Sequence, residues 1–255
     1  MNSTPTCTRP TPPVSVWTLR TDGIDEPFAA RWRGVLDTAE QAQADRFVFA
    51  SDRIQYIAAH ALLRGVLSSI VPDADPAAWR LVSGKNGKPV AWLCENPAPL
   101  SFNLSHTDGM VGVAAVRGAN SALGFDLEAL DRKVTLDIAA RFFRPEEVAW
   151  LGSLPEPVRR DGFLQLWTLK EAFIKATGKG LAQSLSSFWF TTPPPRIHFT
   201  PALPERAEDW HFEQRVVAER WMAAVGLCQP DGANLAARWI EVRPDQASDA
   251  GLFRL

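Results

Sequence analysis

Hydrophobic and polar residues follow two different periods along the chain. In the first half, apolar residues recur every three to four positions over residues 52–70, which predicts a long helix, and residues 24–46 contain shorter helical segments. Alternation with a period of two predicts strands at residues 14–19, 79–82, 89–93, 100–103 and 110–116. The pair Asn86-Gly87 predicts a tight hairpin turn between the second and third of these strands.

The second half repeats this order of elements. The pattern predicts a strand at 122–127, helices at 136–151 and 161–177, and strands at 188–191, 211–217, 221–227 and 239–242. The helix at 161–177 takes the place that the helix at 52–70 has in the first half. The halves share no sequence identity, so the order of elements alone predicts two similar α/β halves. The run Pro193-Pro194-Pro195 and residues 201–209 are expected to be connections.

The domain boundaries follow from this repeat. Residues 1–13 are rich in Thr and Pro and lack the apolar stretch of a signal peptide, so we expect a flexible tail. An N-terminal half is assigned to residues 14–120, and a C-terminal half to residues 121–255.

Composition narrows the class of protein. With 255 residues and 46% hydrophobic side chains, the chain can bury a sizeable core. Its net charge of −2 gives no general basis for binding nucleic acid or an anionic membrane. The three cysteines, Cys7, Cys94 and Cys228, lie far apart and are expected to be reduced thiols of a cytoplasmic protein. No apolar run has the length that a membrane span requires.

Two short acidic fragments carry the candidate chemistry. In Gly-Phe-Asp-Leu-Glu, which is predicted to be a strand, Asp126 and Glu128 lie on the same face. In Trp-Thr-Leu-Lys-Glu-Ala-Phe-Ile-Lys, which is predicted to be a helix, Glu171 and Lys175 are one turn apart. If these elements pack together, three carboxylates converge beside an ammonium group, which suits a divalent cation and a phosphate-bearing substrate. The alternative is a solvated strand face and an ordinary surface Glu–Lys pair.

The two fragments together resemble the paired signature of the 4′-phosphopantetheinyl transferases. Within that family they are similar to the larger, monomeric branch that activates peptide and polyketide synthases. Further blocks match in the family's order: Gly87-Lys88-Pro89, Phe102-Asn103-Leu104-Ser105-His106, Arg141-Phe142-Phe143 with Glu146-Glu147, and Gly178-Lys179-Gly180-Leu181. The resemblance spans residues 46–190.

This resemblance implies both a fold and a reaction. The implied fold is α+β, with two similar halves related by a pseudo-two-fold axis and the active site in the cleft between them. The implied substrate is coenzyme A, whose phosphopantetheine arm is moved onto a serine of an acyl or peptidyl carrier protein, with release of 3′,5′-ADP. The implied metal is Mg²⁺ or Mn²⁺, and the implied state is a monomer.

The resemblance also assigns roles to residues at the reaction centre. Asp126, Glu128 and Glu171 are implied to be the metal ligands, and Glu171 is the candidate for taking the proton from the carrier serine. Lys175 is implied to contact the phosphate that is cleaved. Lys170 is a second candidate for a phosphate contact, although its side chain points about 100° away from that of its neighbour on a helix.

Residues of the first half are implied to hold the phosphates of coenzyme A. The candidates are Lys88, Ser105 and His106, with Arg46, Arg53 and Arg64 for the 3′-phosphate. Gln55 and His60 stand where many relatives have basic residues. The alternatives left open are that Ser105 caps a turn, that Lys88 is a solvated turn lysine, and that Arg46 and Arg53 are surface arginines.

Carrier docking is implied for residues 135–154. The apolar candidates there are Phe142, Phe143, Val148, Trp150 and Leu151, which could equally be core residues. The basic candidates are Arg141, Arg144, Arg159 and Arg160.

Two other functions use the same residues. One is a Mg²⁺-dependent hydrolase that cleaves a pyrophosphate with water, and the other is a module that binds coenzyme A or a carrier without catalysis. A serine hydrolase is disfavoured because the chain has no Gly-x-Ser-x-Gly motif.

Overall fold

The computed structural model describes residues 14–84, 87–118, 121–134, 136–230 and 236–244. The predicted tail at 1–13 and Asn86 of the predicted turn lie outside these ranges. The helices are α1 (Glu26–Trp32), α2 (Thr38–Ala44), α3 (Ala50–Ile70), α4 (Asp137–Phe142), α5 (Pro145–Ser153) and α6 (Glu156–Thr177). The strands are β1 (Ser15–Arg20), β2 (Arg80–Ser83), β3 (Pro89–Leu93), β4 (Asn96–Pro97), β5 (Leu100–Thr107), β6 (Met110–Arg117), β7 (Leu123–Ala129), β8 (Phe188–Thr191), β9 (Arg196–Phe199), β10 (Trp210–Val217), β11 (Trp221–Cys228) and β12 (Arg238–Val242).

The two halves share one connectivity. In the first half, β1 pairs antiparallel with β6, which pairs antiparallel with β5. In the second half, β7 pairs antiparallel with β11, which pairs antiparallel with β10. A long helix and a small hairpin stand between the first and second strands of each set: α3 with β2 and β3, and α6 with β8 and β9. The predicted α+β fold of two similar halves is confirmed.

The sheets pack face to face, and each long helix covers an outer face. Alternate residues of β6 serve different layers: Val111 and Val113 pack with α3, whereas Met110 and Ala114 pack against the second sheet. In the same way, Phe125 of β7 belongs to the layer between the sheets. Asp126 and Glu128, which alternate along β7 with Phe125 and Leu127, therefore face the other way, towards α6.

Helix α6 lies directly on β7 because Gly124 has no side chain. A Cβ at this position would stand 1.9 Å from the carbonyl oxygen of Ala172 and 2.5 Å from the backbone nitrogen of Ala176, both in α6. The helix ends at Gly178, whose φ of 66° places it in the left-handed region that glycine adopts readily. This close approach sets the height of the α6 side chains above β7.

Several features differ from the prediction. The helix predicted at residues 136–151 is two helices, α4 and α5, and the short strand β4 was not predicted. Strand β12 was assigned to the C-terminal half, but it pairs in parallel with β1 and so extends the sheet of the N-terminal half. Strand β9 was not predicted: the Pro193-Pro194-Pro195 run is the turn that joins β8 to β9 in an antiparallel hairpin. The partner of β12 is distant in sequence, and a run of three prolines separates β9 from its partner β8. Local periodicity therefore reveals neither pairing. No helix in the described ranges is long and apolar enough to cross a membrane.

Candidate active site

Three polar side chains meet where β5, β7 and α6 come together. Lys175 Nζ lies 2.6 Å from Asp126 Oδ1 and donates to Ser105 Oγ at 2.9 Å. The Ser105 hydroxyl donates in turn to Asp126 Oδ1 at 3.2 Å. Ser105 and Asp126 are buried and Lys175 is partly exposed, so both halves contribute to a partly desolvated cluster.

Asn103 fixes the relative position of β5 and β7. Its side-chain oxygen accepts a 2.9 Å bond from the backbone N–H of Phe125, although the two strands share no backbone ladder. Two residues on, Ser105 is thereby brought level with Asp126. The Phe-Asn-Leu-Ser-His block was noted in the sequence, but the positioning role of Asn103 was not.

Glu128 is the second carboxylate of β7. Its Oε1 accepts a 3.1 Å bond from Trp167 Nε1 of α6 and pairs with the guanidinium of Arg132. Burial raises the pKa of Glu128, the bond from Arg132 opposes that rise, and repulsion from Asp126 adds to it. Arg132 was not identified from the sequence because it lies in the turn after β7, where no periodicity indicates its direction.

Glu171 of α6 is the third carboxylate of the acidic group. Burial raises its pKa, repulsion from Asp126 adds to the rise, and the ammonium of Lys175 opposes it. Glu128 is a further source of repulsion, so the three predicted carboxylates lie within electrostatic reach of one another. Among the described residues, no hydrogen bond or ion pair joins Glu171 to another side chain.

The donor set is suited to a hard divalent cation. It consists of carboxylate oxygens, and Asp126 Oδ2 is buried with no hydrogen-bond partner in the described part of the chain. In their present positions, however, the described side chains form no cluster of three or more His, Cys, Asp or Glu residues ready to hold a metal. Lys175 and Arg132 instead neutralise two of the carboxylates.

His106 and the α3 helix border this cluster. His106 is exposed, yet the surrounding protein desolvates its ring enough to lower its pKa, and the charges of Lys175 and His60 act in the same direction. His60 Nδ1 lies 2.8 Å from Glu40 Oε1, and Gln55 donates to the carbonyl of Thr107. Of the two residues that depart from the family's basic pattern, Gln55 therefore holds the end of β5 and His60 joins the middle of α3 to α2.

Lys88 reaches from the first half into the second. Its Nζ donates to the carbonyls of Leu123 at 2.8 Å and Ala176 at 3.2 Å. Burial lowers the pKa of Lys88 to about 8. The sequence alternative of a solvated turn lysine is therefore wrong, although in this arrangement Lys88 contacts backbone oxygens of β7 and α6.

Lys170 and Arg64 are structural, which corrects the prediction that they bind phosphate. The Lys170 ammonium is fully buried, 2.8 Å from Glu147 Oε2, and donates to the carbonyls of Leu185 and Phe188. Arg64 is also fully buried and is held by Glu40, Asp37 and the carbonyls of Pro76 and Trp79. With their donors used inside the core, neither can reach a ligand in the cleft.

Arg46 and Arg53 lie away from the cluster. Arg53 pairs with Glu26 at 2.5 Å and donates to the carbonyl of Phe47 at 2.9 Å. Arg46 is exposed, and its guanidinium donates to the amide oxygen of Gln43 at 3.4 Å, the one hydrogen bond that it makes within the described ranges. Neither arginine has a hydrogen bond or ion pair with Lys175, Ser105 or the three carboxylates of the acidic group.

The apolar candidates for docking separate into core and surface. Phe143 and Leu151 are buried, and Val148 and Trp150 pack against the same core. Phe142 is 45% exposed, and Leu136 and Ile138 beside it in the α4 region are each 36% exposed. The surface of α4 thus presents an apolar patch, whereas most of the α5 candidates are core residues.

Both halves of the chain are similar to known proteins. Residues 122–225 match the family model described as the 4′-phosphopantetheinyl transferase superfamily, and residues 26–118 match the model of a 4′-phosphopantetheinyl transferase N-terminal region. A putative 4′-phosphopantetheinyl transferase of Synechocystis sp. is 33% identical over 178 residues, which is 69% of each chain. The 4′-phosphopantetheinyl transferase HetI of Nostoc sp. is 31% identical, over 75% of this chain and 78% of its own.

One further relative bears on the branch. The 4′-phosphopantetheinyl transferase Sfp of Bacillus subtilis is 30% identical, over 65% of this chain and 72% of its own. A crystal structure of the Thermotoga maritima holo-[acyl-carrier-protein] synthase covers 42% of this chain and 62% of that one, at 22% identity and a TM-score of 0.35, so the likeness is partial. With both halves matched in order by the two family models, the chain belongs to the 4′-phosphopantetheinyl transferase superfamily, in its Sfp-like branch.

Proposed function

We propose that this transferase moves the 4′-phosphopantetheine group of coenzyme A to a serine of an acyl or peptidyl carrier protein, releases 3′,5′-ADP, and depends on Mg²⁺ or Mn²⁺. The observation that supports this most strongly is the contact of Lys175 with Asp126 and Ser105, with Glu128 and Glu171 within electrostatic reach. These side chains bring one ammonium group, one hydroxyl and three carboxylates together at the junction of the two halves.

In this proposal Asp126, Glu128 and Glu171 hold the metal. Their oxygens have the chemistry that Mg²⁺ prefers, and the partnerless Asp126 Oδ2 is a buried acceptor in need of a cation. A bound ion would supply positive charge that stabilises negative charge on the diphosphate oxygens. The remaining steps fall to side chains of the protein.

Lys175 acts on the leaving group. Its ammonium lies in the last turn of α6 and contacts Ser105 and Asp126. From this position it can stabilise the negative charge that develops on a phosphate held between β5 and α6. A positioned cation of this kind stabilises the transition state more than the bound substrate. Ser105 and His106 offer a hydroxyl and an imidazole to the same phosphates.

Glu171 takes the proton from the carrier serine, directly or through a water molecule. Burial and the repulsion from Asp126 raise its pKa, which brings this carboxylate closer to the pH at which a general base is most effective. Lys88 is a further candidate for a phosphate contact. Among the described residues its ammonium contacts only carbonyls, so its positive charge is not compensated by a carboxylate.

The carrier is proposed to dock beside α4. Phe142, Leu136 and Ile138 form the apolar patch there, and the exposed Arg141 is suited to an acidic partner. We further propose that the protein works as a cytoplasmic monomer. Size-exclusion chromatography with light scattering tests the monomer directly.

The reaction is tested by intact-mass spectrometry of a purified apo carrier protein. The carrier is incubated with this protein and coenzyme A, with Mg²⁺ or with a chelator, and Asp126→Asn serves as the inactive control. A metal-dependent gain of one phosphopantetheine is the expected result. Consumption of coenzyme A with several carriers left unmodified would favour the hydrolase, and binding of coenzyme A without consumption would favour the binding module.

A further inference from the structure

Arg132 covers one of the proposed metal ligands. Its guanidinium pairs with Glu128 Oε1, the same oxygen that accepts the bond from Trp167 Nε1. The Glu128 side chain is 11% exposed and that of Arg132 is 48% exposed, so the ion pair joins a largely buried carboxylate to a solvent-exposed guanidinium. A cation that binds Oε1 of Glu128 competes with the guanidinium for this oxygen.

Arg132 is lightly held. It lies in the turn after β7, where its backbone N–H donates to the carbonyl of Ala129 at 3.1 Å. Within the described part of the chain, the pair with Glu128 is the one hydrogen bond or ion pair of its guanidinium. Lys175, in contrast, donates to Ser105 as well as to Asp126. The arginine can therefore leave its carboxylate without breaking any helix or strand.

Repulsion between charges favours the release of one of these cations when a divalent ion binds. Asp126, Glu128 and Glu171 carry three negative charges when ionised, and Lys175 and Arg132 carry two positive charges. A divalent ion bound to the same oxygens would be repelled by a guanidinium that keeps its place on Glu128, because like charges at contact distance repel strongly in a partly desolvated site.

We propose that Arg132 is an internal counter-cation of Glu128, which competes with the divalent ion in the free protein and leaves the carboxylate when the ion binds. This inference rests on the proposed metal site and adds a residue that sets how tightly the metal is held before coenzyme A arrives. It predicts that removing the guanidinium charge strengthens metal binding.

Lys133 provides a matched control. It is the adjacent residue, is exposed, and has no hydrogen bond or ion pair with any described residue. Lys133→Gln therefore removes the same unit charge from the same turn without removing a contact to Glu128. Arg132→Lys retains the charge at the contact itself. The comparison separates a local competitor from a long-range change in potential.

The test is a titration of the full-length protein with Mn²⁺, without coenzyme A, in which electron paramagnetic resonance measures free Mn²⁺. Arg132→Gln is expected to bind Mn²⁺ about fivefold more tightly than Lys133→Gln, a ratio that corresponds to a competing contact of about 1 kcal/mol. Arg132→Lys is expected to stay close to the wild-type protein. Circular dichroism checks that each variant is folded.

Equal Mn²⁺ affinities of Arg132→Gln and Lys133→Gln would overturn the inference, because Arg132 would then act only through its long-range charge. Weaker Mn²⁺ binding by Arg132→Gln would also overturn it and would show that Arg132 orients Glu128 for the metal. Asp126→Asn tests the underlying site. If the wild-type protein binds Mn²⁺ no more tightly than Asp126→Asn does, the proposed metal site itself is wrong and the inference falls with it.

Discussion

Lys175 Nζ lies 2.6 Å from Asp126 Oδ1, so an ion pair joins the last turn of α6 to the middle of β7. The position suits a cation for two reasons. The carboxylate is adjacent, and the carboxyl end of a helix carries the negative end of its dipole. The same ammonium also contacts Ser105 of β5, so a single side chain links the three elements that meet at the site.

Lys175→Ala is expected to lower kcat by about 10²–10³-fold, the effect of removing one group that stabilises charge in a transition state. The KM for coenzyme A should change much less, because the contact strengthens only as charge develops on the leaving phosphate. Steady-state kinetics with an apo carrier protein measures both constants. A large rise in KM with kcat preserved would make Lys175 a residue of ground-state binding.

Asp126→Ala is expected to lower the rate of transfer by about 10³-fold. Loss of metal-based charge stabilisation costs several kcal/mol of barrier, and each 1.36 kcal/mol is a factor of ten in rate. Circular dichroism should show a folded protein, because Lys175, which loses its partner, is partly exposed and can be solvated. A rate close to that of the wild-type protein would contradict the assignment of this carboxylate to the metal.

The sequence predicted the acidic centre because the two periods involved are local. A period of two places Asp126 and Glu128 on one face of β7, and a helical turn places Glu171 above Lys175, whatever surrounds them. Lys170 was misjudged for the opposite reason. Its direction on the helix was correctly expected to differ from that of Glu171, but its partner Glu147 comes from α5, and no local pattern reveals that packing.

Arg64 illustrates the same limit in the first half. The resemblance implied that it binds the 3′-phosphate, yet its side of α3 is covered by α2 and by the segment before β2. Burial of this side depends on contacts between elements that are distant in sequence. Strand β12 is the third case, because its partner β1 lies at the other end of the chain.

Glu171→Gln is expected to raise the melting temperature of the metal-free protein at pH 7–8. Burial and the neighbouring Asp126 carboxylate raise the pKa of Glu171 in the fold. The folded protein therefore keeps this proton at pH values where the unfolded chain has lost it. Stability falls as the pH rises from the ordinary glutamate pKa to the raised one, and the penalty persists above that window.

A neutral amide escapes this penalty. The rise should amount to a few degrees, since 1 kcal/mol corresponds to about 2–4 °C in a domain of 150–250 residues. It should vanish below about pH 4, where the carboxyl is protonated in both states. Thermal melts in a chelator at both pH values provide the measurement. A variant less stable than the wild-type protein at pH 7.5 would show that the Glu171 charge is well compensated.

The Glu147–Lys170 pair is expected to behave as a structural unit. Both side chains have no exposed surface, so Lys170→Met or Glu147→Gln alone leaves a buried charge without its partner, at a cost of about 3–5 kcal/mol. Urea unfolding should find that the double variant Glu147→Gln with Lys170→Met loses about 1–3 kcal/mol less stability than the sum of the losses in the two single variants. A folded Lys170→Met that is fully stable but binds coenzyme A poorly would restore the phosphate role of Lys170.

Gly124→Ala is expected to cost about 3 kcal/mol of stability, at the upper end for an added core methyl, because the new Cβ would overlap backbone atoms of α6 rather than a movable side chain. To relieve the overlap α6 must move away from β7, and Glu171 and Lys175 move with it. A shift of 1 Å in such groups can cost about 10²-fold in rate. Urea unfolding and transfer kinetics should therefore both report the change.

Gly152→Ala is the matched control: it lies in α5 with no atom within 4 Å of its added Cβ, so it should leave the rate unchanged and stabilise the helix slightly. If Gly124→Ala retains wild-type stability and rate, the close contact of α6 with β7 is not what positions the two catalytic side chains.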